Sequence, residues 1–185
     1  MSFCRPHLKA AAGAILASLV LSGCTASPPE SAAVTDVRGH LPDLRFHLTD
    51  DNGQTVDETA FRGEPTVVYF GYSGCGNQCP LTLARLAKVA RAAHFRVLFV
   101  SVDPLDGPAV LHAFVSHYAP LDIHGLSGSP SAIADIARRY RAADRVPDHA
   151  TALYVFDARG RARMLITPQV DDRDLVTAVR EAGDV

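Results

Sequence analysis

The chain has 185 residues, of which 18 are basic and 20 acidic, and its formal net charge at pH 7 is −2. No basic cluster follows the spacing that a phosphate backbone requires, so composition and charge argue against a nucleic-acid partner. Hydrophobic residues make up 48% of the sequence, and the length suits one hydrophobic core rather than two.

The N-terminus is predicted to be a lipoprotein signal peptide over residues 1–23. Arg5 and Lys9 precede an uncharged run over residues 10–21, which is too short to span a bilayer as a helix but suits the apolar region of a secretory signal. The run ends in Leu-Ser-Gly-Cys, which resembles the bacterial lipobox, so Cys24 is the predicted lipidation site. An ordinary signal peptide or an uncleaved anchor is the alternative. With the lipid, the protein is expected to be exported and membrane-anchored, facing the periplasm or the cell exterior.

Residues 24–42 are predicted to be a flexible tether, because they combine prolines with serine and alanine and show no apolar period. The folded, thioredoxin-like domain is then expected to cover residues 43–185. Cleavage removes one of the four cysteines and lipidation uses Cys24, so Cys75 and Cys79 keep free thiols. The domain is therefore expected to have one dithiol rather than a framework of disulfides.

The elements of this domain follow from its apolar periods and turn residues. A hairpin is predicted first, then a βαβ unit, a further α and β region, and a ββα end. The predicted strands cover 44–48, 54–56, 66–71, 95–102, 123–126, 151–156 and 162–166, and the predicted helices cover 80–93, 108–118, 131–140 and 171–182. This order predicts an α/β fold, a thioredoxin-like sandwich with an N-terminal β-hairpin and an insertion.

Cys75 and Cys79 lie between the predicted strand that ends at Gly71 and the helix that begins near Pro80. A thiolate at a helix start faces unpaired N–H groups and the positive end of the helix dipole, so the pKa of Cys79 is expected to be lowered. The glycines of the loop should let the chain fold tightly enough to bring the two sulfur atoms together. The pair could then be redox-active or bind one soft metal ion, and a permanent disulfide that only pins the loop is the alternative.

His149 is the candidate third ligand of a metal site. It comes just before the predicted strand 151–156, and in a thioredoxin-like sandwich that position lies on the same rim as the cysteine loop. A neutral imidazole there could complete a trigonal site of two sulfur atoms and one nitrogen. Two thiolates favour Cu(I) and one imidazole also admits Cu(II), whereas structural zinc needs a fourth ligand. A packed or solvated histidine is the alternative.

Asp103 ends a predicted strand on the same rim. Its carboxylate is expected either to orient His149 or tune the thiols, or simply to cap an Asp-Pro turn. The remaining histidines after the signal peptide show no paired metal spacing and are expected to be surface or packing residues; they are His40, His47, His94, His112, His117 and His124.

Four sequence motifs occur in a fixed order along the domain. They are Phe-Gly-Tyr-Ser-Gly-Cys-Gly-Asn-Gln-Cys-Pro at 70–80, Ser-Val-Asp-Pro at 101–104, Leu-Ser-Gly-Ser at 126–129 and Asp-His at 148–149. Together they resemble the Sco/SenC family of membrane-tethered, thioredoxin-like copper proteins, and the likeness covers most of the chain from about residue 41 onward. Gly76 stands where that family usually has proline, and the segment 142–147 is shorter than the loop that usually precedes the histidine.

The resemblance implies a copper-binding metallochaperone that assists copper delivery to the CuA site of cytochrome c oxidase. Cys75, Cys79 and His149 would be the ligands of a copper ion, Cu(I) or Cu(II). The expected partners are a cytochrome c oxidase subunit or another copper acceptor, a thiol reductant that keeps the cysteines reduced, and the membrane through the lipid anchor. Such a protein binds its cargo rather than catalysing a reaction.

Two other functions remain open at this point. The first is an exported thiol–disulfide oxidoreductase that acts on the cysteines of an acceptor protein, in which Cys75 and Cys79 are the catalytic residues and His149 is dispensable. The second and weaker hypothesis is a peroxidase of the thioredoxin superfamily. It needs an arginine and a threonine around a peroxidatic cysteine, and the sequence does not allow them to be assigned.

Overall fold

The computed structural model describes residues 34–140, 152–167 and 170–184. The predicted signal peptide, Cys24, the first part of the tether and His149 lie outside the described residues. Among the residues that are described, no helix is long and apolar enough to cross a membrane.

Strands and helices alternate along most of the described chain. The strands are β1 (Val34–Asp36), β2 (His47–Asp50), β3 (Thr55–Asp57), β4 (Thr66–Gly71), β5 (Arg96–Ser101), β6 (Ile123–Ser127), β7 (Leu153–Phe156) and β8 (Ala162–Ile166). The α-helices are α1 (Gln78–Val89), α2 (Pro108–Val115), α3 (Pro130–Arg139) and α4 (Asp172–Gly183), and short 3-10 turns cover Glu58–Phe61 and Ser116–Tyr118.

The strands form one mixed sheet in the order β1-β8-β7-β4-β5-β6-β2-β3. β4, β5 and β6 are parallel neighbours, and α1 and α2 make the crossovers between them. β7 pairs antiparallel with β4, and the β2–β3 hairpin pairs antiparallel with β6 at the other side. The predicted α/β sandwich with an N-terminal hairpin is confirmed.

Helices cover both faces of the sheet. Successive side chains of the central strands point to opposite sides, so each of these strands contributes to the core on both faces. Every residue of β4 is buried. Val67 and Tyr69 belong to the core under α1, α2 and α4, whereas Val68 and Phe70 belong to the core under α3. The continuous β-branched and aromatic run of β4 is therefore buried on both faces of the sheet.

Three segments of chain meet at one edge of the sheet, which we call the cysteine edge. Because β4 and β5 are parallel, the loops that follow them, residues 72–77 and 102–107, both leave the sheet there. Leu153, at the start of β7, pairs with Tyr69 near the end of β4, so the chain also enters β7 at this edge.

Most of the predicted boundaries agree with the structure within a few residues, and the strand over 66–71 and the strand over 162–166 agree fully. The helix after the cysteines begins at Gln78 rather than at residue 80 and ends at Val89 rather than at residue 93. The N–H groups of both Ala92 and Ala93 bond to the Val89 carbonyl, which marks a tightened helix end.

The predicted boundary between tether and domain at residue 42 is wrong. Val34–Asp36 forms an edge strand that pairs antiparallel with Met164–Ile166, the last residues of β8. The next residue, Val37, is buried, and its N–H bonds to the Arg163 carbonyl at 2.9 Å. A strand of three residues is too short to show a period in the sequence, and its partner lies far along the chain, so local pattern could not reveal it.

A chain that begins at residue 43 should be less stable than one that begins at residue 34. The shorter chain lacks β1 and the buried side chain of Val37, and burial of one such side chain contributes about 1.5–3 kcal/mol. We expect the free energy of unfolding in urea to fall by at least about 2 kcal/mol. Equal stability of the two chains would contradict the assignment of residues 34–42 to the domain.

Candidate dithiol and metal site

Cys75 and Cys79 meet at the cysteine edge. Cys75 lies on the loop after β4, where its N–H bonds to the Tyr72 carbonyl at 3.2 Å, and Cys79 is the second residue of α1. Both are free thiols, and they are 5% and 1% exposed. The two side chains lie within hydrogen-bonding range of each other. The structure therefore brings together two of the predicted site residues in the core under α1, α2 and α4.

Gly71 allows Cys79 to pack against the sheet. A Cβ atom at Gly71 would lie 2.8 Å from the Cys79 sulfur and 2.7 Å from Cε2 of Phe99, which is too close for either contact. The sulfur thus packs directly over the backbone of the last residue of β4. The sequence pattern predicts that the glycines around the cysteines, Gly71 among them, let the loop fold tightly; the structure requires glycine at 71 because a side chain has no room there.

Gly76 gives the loop between the cysteines a backbone conformation that proline cannot adopt. Its φ is 25°, whereas the proline ring holds φ near about −65°. Its N–H bonds to the Gly74 carbonyl at 2.9 Å, and no atom would meet a Cβ there within 4 Å. Glycine is therefore needed at position 76 because of its backbone conformation. The loop of this chain follows a path that a proline at this position would exclude.

The predicted lowering of the pKa of Cys79 is wrong. Burial raises the pKa of the Cys79 thiol to about 11, and the neighbouring Cys75 side chain raises it further, while contacts with Tyr69 and with the Tyr72 backbone oppose the rise. Removing a thiolate from water disfavours the charged form more than the start of α1 favours it. Cys79 is therefore protonated at neutral pH, and a metal ion that binds there has to displace the proton.

The hydroxyl group of Tyr69 belongs to this site, although the sequence pattern did not reveal it. Tyr69 is fully buried in the same core cluster as the two cysteines. Burial raises the pKa of Tyr69 and its contact with Cys79 adds to the rise, while the neighbouring Thr82 side chain opposes it. The hydroxyl is close to the Cys79 sulfur, yet it has no hydrogen bond of good geometry to any described residue. A buried hydroxyl without an acceptor is unfavourable, and a sulfur that carries negative charge would supply one.

Asp106 is a second residue of the cysteine edge that the sequence pattern did not reveal. Its carboxylate is buried in the turn after β5 and accepts hydrogen bonds from the Ser73 N–H at 2.7 Å and the Ser73 hydroxyl at 2.5 Å. It also accepts one from the Ser101 hydroxyl at 2.6 Å. An aspartate shortly after an Asp-Pro pair is typical of a turn, so its local pattern gave no sign of a contact with the cysteine loop.

Asp103 lies at the cysteine edge, at the end of β5. Its carboxylate accepts a hydrogen bond from the Leu105 N–H at 2.9 Å and so caps the turn, which was one of its two expected roles. A role in orienting His149 stays a prediction, because His149 lies outside the described residues.

No three His, Cys, Asp or Glu side chains gather as a metal site within residues 34–140, 152–167 and 170–184. Two of the other histidines pair with an aspartate. Nδ1 of His112 lies 2.9 Å from Oδ2 of Asp51, and Nε2 of His124 lies 3.1 Å from Oδ1 of Asp122. The described part of the candidate metal site thus consists of the two thiols.

The described elements define a thioredoxin-like domain with a buried dithiol between β4 and α1. The SCO1/SenC family model matches residues 38–183 of the sequence. The chain therefore belongs to the SCO1/SenC family, as its motifs predicted.

Individual relatives agree with this assignment. "Protein SCO2, mitochondrial" of Saccharomyces cerevisiae is 29% identical, with 74% of this chain and 51% of that protein covered. "Protein SCO1 homolog 1, mitochondrial" of Arabidopsis thaliana is 34% identical, with 60% of this chain and 37% of that protein covered. The crystal structure of yeast Sco1 with copper bound has a TM-score of 0.68 and 28% identity, with 76% of this chain and 90% of that chain covered. The chain thus spans about half of the length of these two curated relatives, or less.

Gly71→Ala should destabilise the protein by about 1–3 kcal/mol, the usual range when an extra methyl group is forced into a packed core. The new methyl group would displace Cys79 or Phe99. Gly74→Ala is the matched control, because its Cβ would meet only the ring of Tyr72, at 3.8 Å. Urea unfolding of the reduced proteins measures both, and equal effects at the two positions would contradict the close packing of Cys79 over Gly71.

Cys79 in the reduced, folded protein should react slowly with iodoacetamide near neutral pH. Only the thiolate reacts, and a pKa of about 11 keeps the thiol protonated until the pH approaches that value. Compared with an unfolded chain, in which the pKa of cysteine is about 8.5, we expect a rate at least about a hundredfold lower. Tandem mass spectrometry distinguishes alkylation at Cys79 from that at Cys75.

The pH profile separates the two effects of burial on this reaction. Steric protection alone would slow the reaction equally at every pH. A raised pKa instead moves the midpoint of the profile towards pH 11. A midpoint near the value of the unfolded chain would contradict the raised pKa.

Proposed function

We propose that this protein is a copper-binding metallochaperone, with copper as its cargo rather than as a permanent cofactor. The observation that carries the proposal is the pair of buried, free thiols of Cys75 and Cys79, which lie in contact at one edge of the sheet. Two sulfur ligands this close favour a soft ion, above all Cu(I). The ion is held by these thiols and passed to an acceptor by ligand exchange.

The surroundings of the thiols fit such an ion. The core around them is apolar, and the Tyr69 hydroxyl beside Cys79 has no hydrogen-bond partner among the described residues. A copper-bound sulfur carries negative charge, so the hydroxyl is able to donate a hydrogen bond to it. Binding displaces the proton of the Cys79 thiol, so the affinity for copper should fall as the pH falls.

His149 is the proposed third ligand. It precedes Ala152 by three residues, and the chain enters β7 at the cysteine edge, which supports a position near the thiols. The imidazole would let the site hold Cu(II) as well as Cu(I). Asp103, at the same edge, is proposed to orient this imidazole or to tune the thiols.

The proposed acceptor is the CuA subunit of cytochrome c oxidase or another copper acceptor. Membership of the SCO1/SenC family supports this acceptor, and the yeast relative has been crystallised with copper bound. An acceptor that takes copper from the thiols has to approach the cysteine edge. Leu81, Leu105 and Val110 are exposed there, in the first turn of α1, the turn after β5 and the first turn of α2.

The protein is further proposed to be exported and held at a membrane by a lipid on Cys24, facing an oxidising compartment. There the two thiols would close a disulfide, which leaves no thiolate for copper. A partner protein that reduces the Cys75–Cys79 disulfide is therefore part of the proposal.

A thiol–disulfide oxidoreductase is the second candidate, and the contact between the two thiols favours it, because a pair this close is able to form a disulfide. In that reaction Cys75 and Cys79 lose two electrons and two protons as their disulfide forms, while a disulfide of the acceptor protein gains them. His149 has no required part in this chemistry.

Titration of the reduced protein, residues 26–185, with Cu(I) against a competing chelator tests the proposal. We expect one ion per chain, and no binding at this site in the Cys75→Ser/Cys79→Ser variant. His149→Ala should lower the affinity at least about tenfold, which corresponds to about 1.4 kcal/mol of binding free energy. His94→Ala is the matched control, because His94 is exposed and precedes β5, at the end opposite to the cysteine edge.

The oxidised protein should take up no copper at this site. Equal uptake by the oxidised and reduced forms, or binding that persists in the double variant, would rule out the proposed ligands. If His149→Ala leaves the copper affinity unchanged while the reduced protein still reduces disulfides of an acceptor, the oxidoreductase is the better description.

A further inference from the structure

Asp106 is a buried carboxylate whose charge no described cation balances. It is 4% exposed, its hydrogen bonds go to Ser73 and Ser101, and it forms no ion pair with any Lys, Arg or His of the described segments. Burial of an unpaired charge is unfavourable, so these hydrogen bonds have to offset the loss of hydration. A neutral side chain at this position would avoid that penalty.

The Asp106 carboxylate is not the group that closes the turn in which it lies. The turn is closed by the hydrogen bond from the Asp106 N–H to the Asp103 carbonyl, at 3.1 Å, and by the Asp103 carboxylate, which accepts from the Leu105 N–H. The Asp106 side chain instead reaches across to the loop after β4, where it accepts from both the N–H and the hydroxyl of Ser73. Hydrogen bonds to a charged acceptor are stronger than those between neutral groups, so the link to the loop is strong.

This link restrains one cysteine rather than both. Cys79 is already held by α1 and by its packing over Gly71. Cys75 lies outside the helix, two residues after Ser73, on a loop that contains Gly74 and Gly76. The position of the Cys75 sulfur therefore depends on how firmly the start of this loop is attached to the rest of the domain.

We infer that Asp106 is a positioning residue of the dithiol site. Through Ser73 it holds Cys75 beside Cys79, at the separation that a shared copper ion or a disulfide requires. The copper part of this inference rests on the proposed function. The part that concerns the disulfide depends only on the two cysteines and can be tested without copper.

Two equilibrium constants of Asp106→Asn test the inference. One is the Cu(I) affinity of the reduced protein. The other is the equilibrium constant with glutathione, in which the dithiol and oxidised glutathione form the Cys75–Cys79 disulfide and two reduced glutathione molecules. We expect both to fall at least about tenfold, which for the two-electron couple corresponds to about 30 mV.

Ser73→Ala is the milder companion variant. It removes the hydroxyl but keeps the backbone N–H that bonds to Asp106, so both constants should fall by a smaller factor in the same direction. In Ser73→Ala/Asp106→Asn, the loss should be smaller than the product of the two single losses, because both residues act through one contact. If Asp106→Asn does not fold, the two constants of Ser73→Ala alone test whether the contact between Ser73 and Asp106 positions Cys75.

Asp50→Asn is the matched control. Asp50 is also a buried turn carboxylate, and it accepts hydrogen bonds from the N–H groups of Asn52 at 3.0 Å and Gln54 at 2.7 Å. It lies in the β2–β3 hairpin, beyond β5 and β6 from the cysteine loop. This variant should lose stability in urea but leave both constants within about twofold of the original protein, a change below about 0.5 kcal/mol.

The outcomes are distinct. If Asp106→Asn loses stability as Asp50→Asn does and leaves both constants unchanged, Asp106 has only a structural role and the inference is overturned. If the original protein binds no copper, the proposed function fails, and the glutathione equilibrium still decides whether Asp106 positions Cys75.

Discussion

The packing of the Cys79 sulfur over the backbone of Gly71 is the contact on which the site depends. It brings the first turn of α1 down onto the end of β4, with Phe99 and Tyr69 beside it. Because no side chain intervenes, the sulfur is removed from water almost completely. The same contact therefore fixes where one thiol lies and determines its chemistry, since a buried thiol keeps its proton until a metal ion displaces it.

Two electrostatic effects compete at Cys79, and their magnitudes decide the outcome. A charge at a helix terminus is stabilised by about 0.3–1 kcal/mol in ordinary settings. Desolvation of a buried group shifts its pKa by up to several units, each worth about 1.36 kcal/mol. Burial therefore outweighs the helix start at Cys79, and this thiol differs from the activated cysteines that face solvent at the start of other helices.

The two thiols are held in different ways. Cys79 belongs to a helix and a packed core, whereas Cys75 belongs to a short loop that Ser73 attaches to Asp106. The left-handed backbone at Gly76 gives this loop a shape that the usual proline of the family would exclude.

The sequence by itself determined the fold class, the central strands, the helix after the cysteines and the family, because these depend on short apolar periods and contiguous motifs. Only the tertiary structure decided that β1 pairs with β8, that Asp106 binds a serine 33 residues earlier in the chain, and that Tyr69 lies against Cys79. It also reversed the expected direction of the Cys79 pKa shift. The local sequence pattern indicates which residues are neighbours along a helix or strand. Burial, charge balance and distant hydrogen bonds instead depend on which segments of the chain pack together.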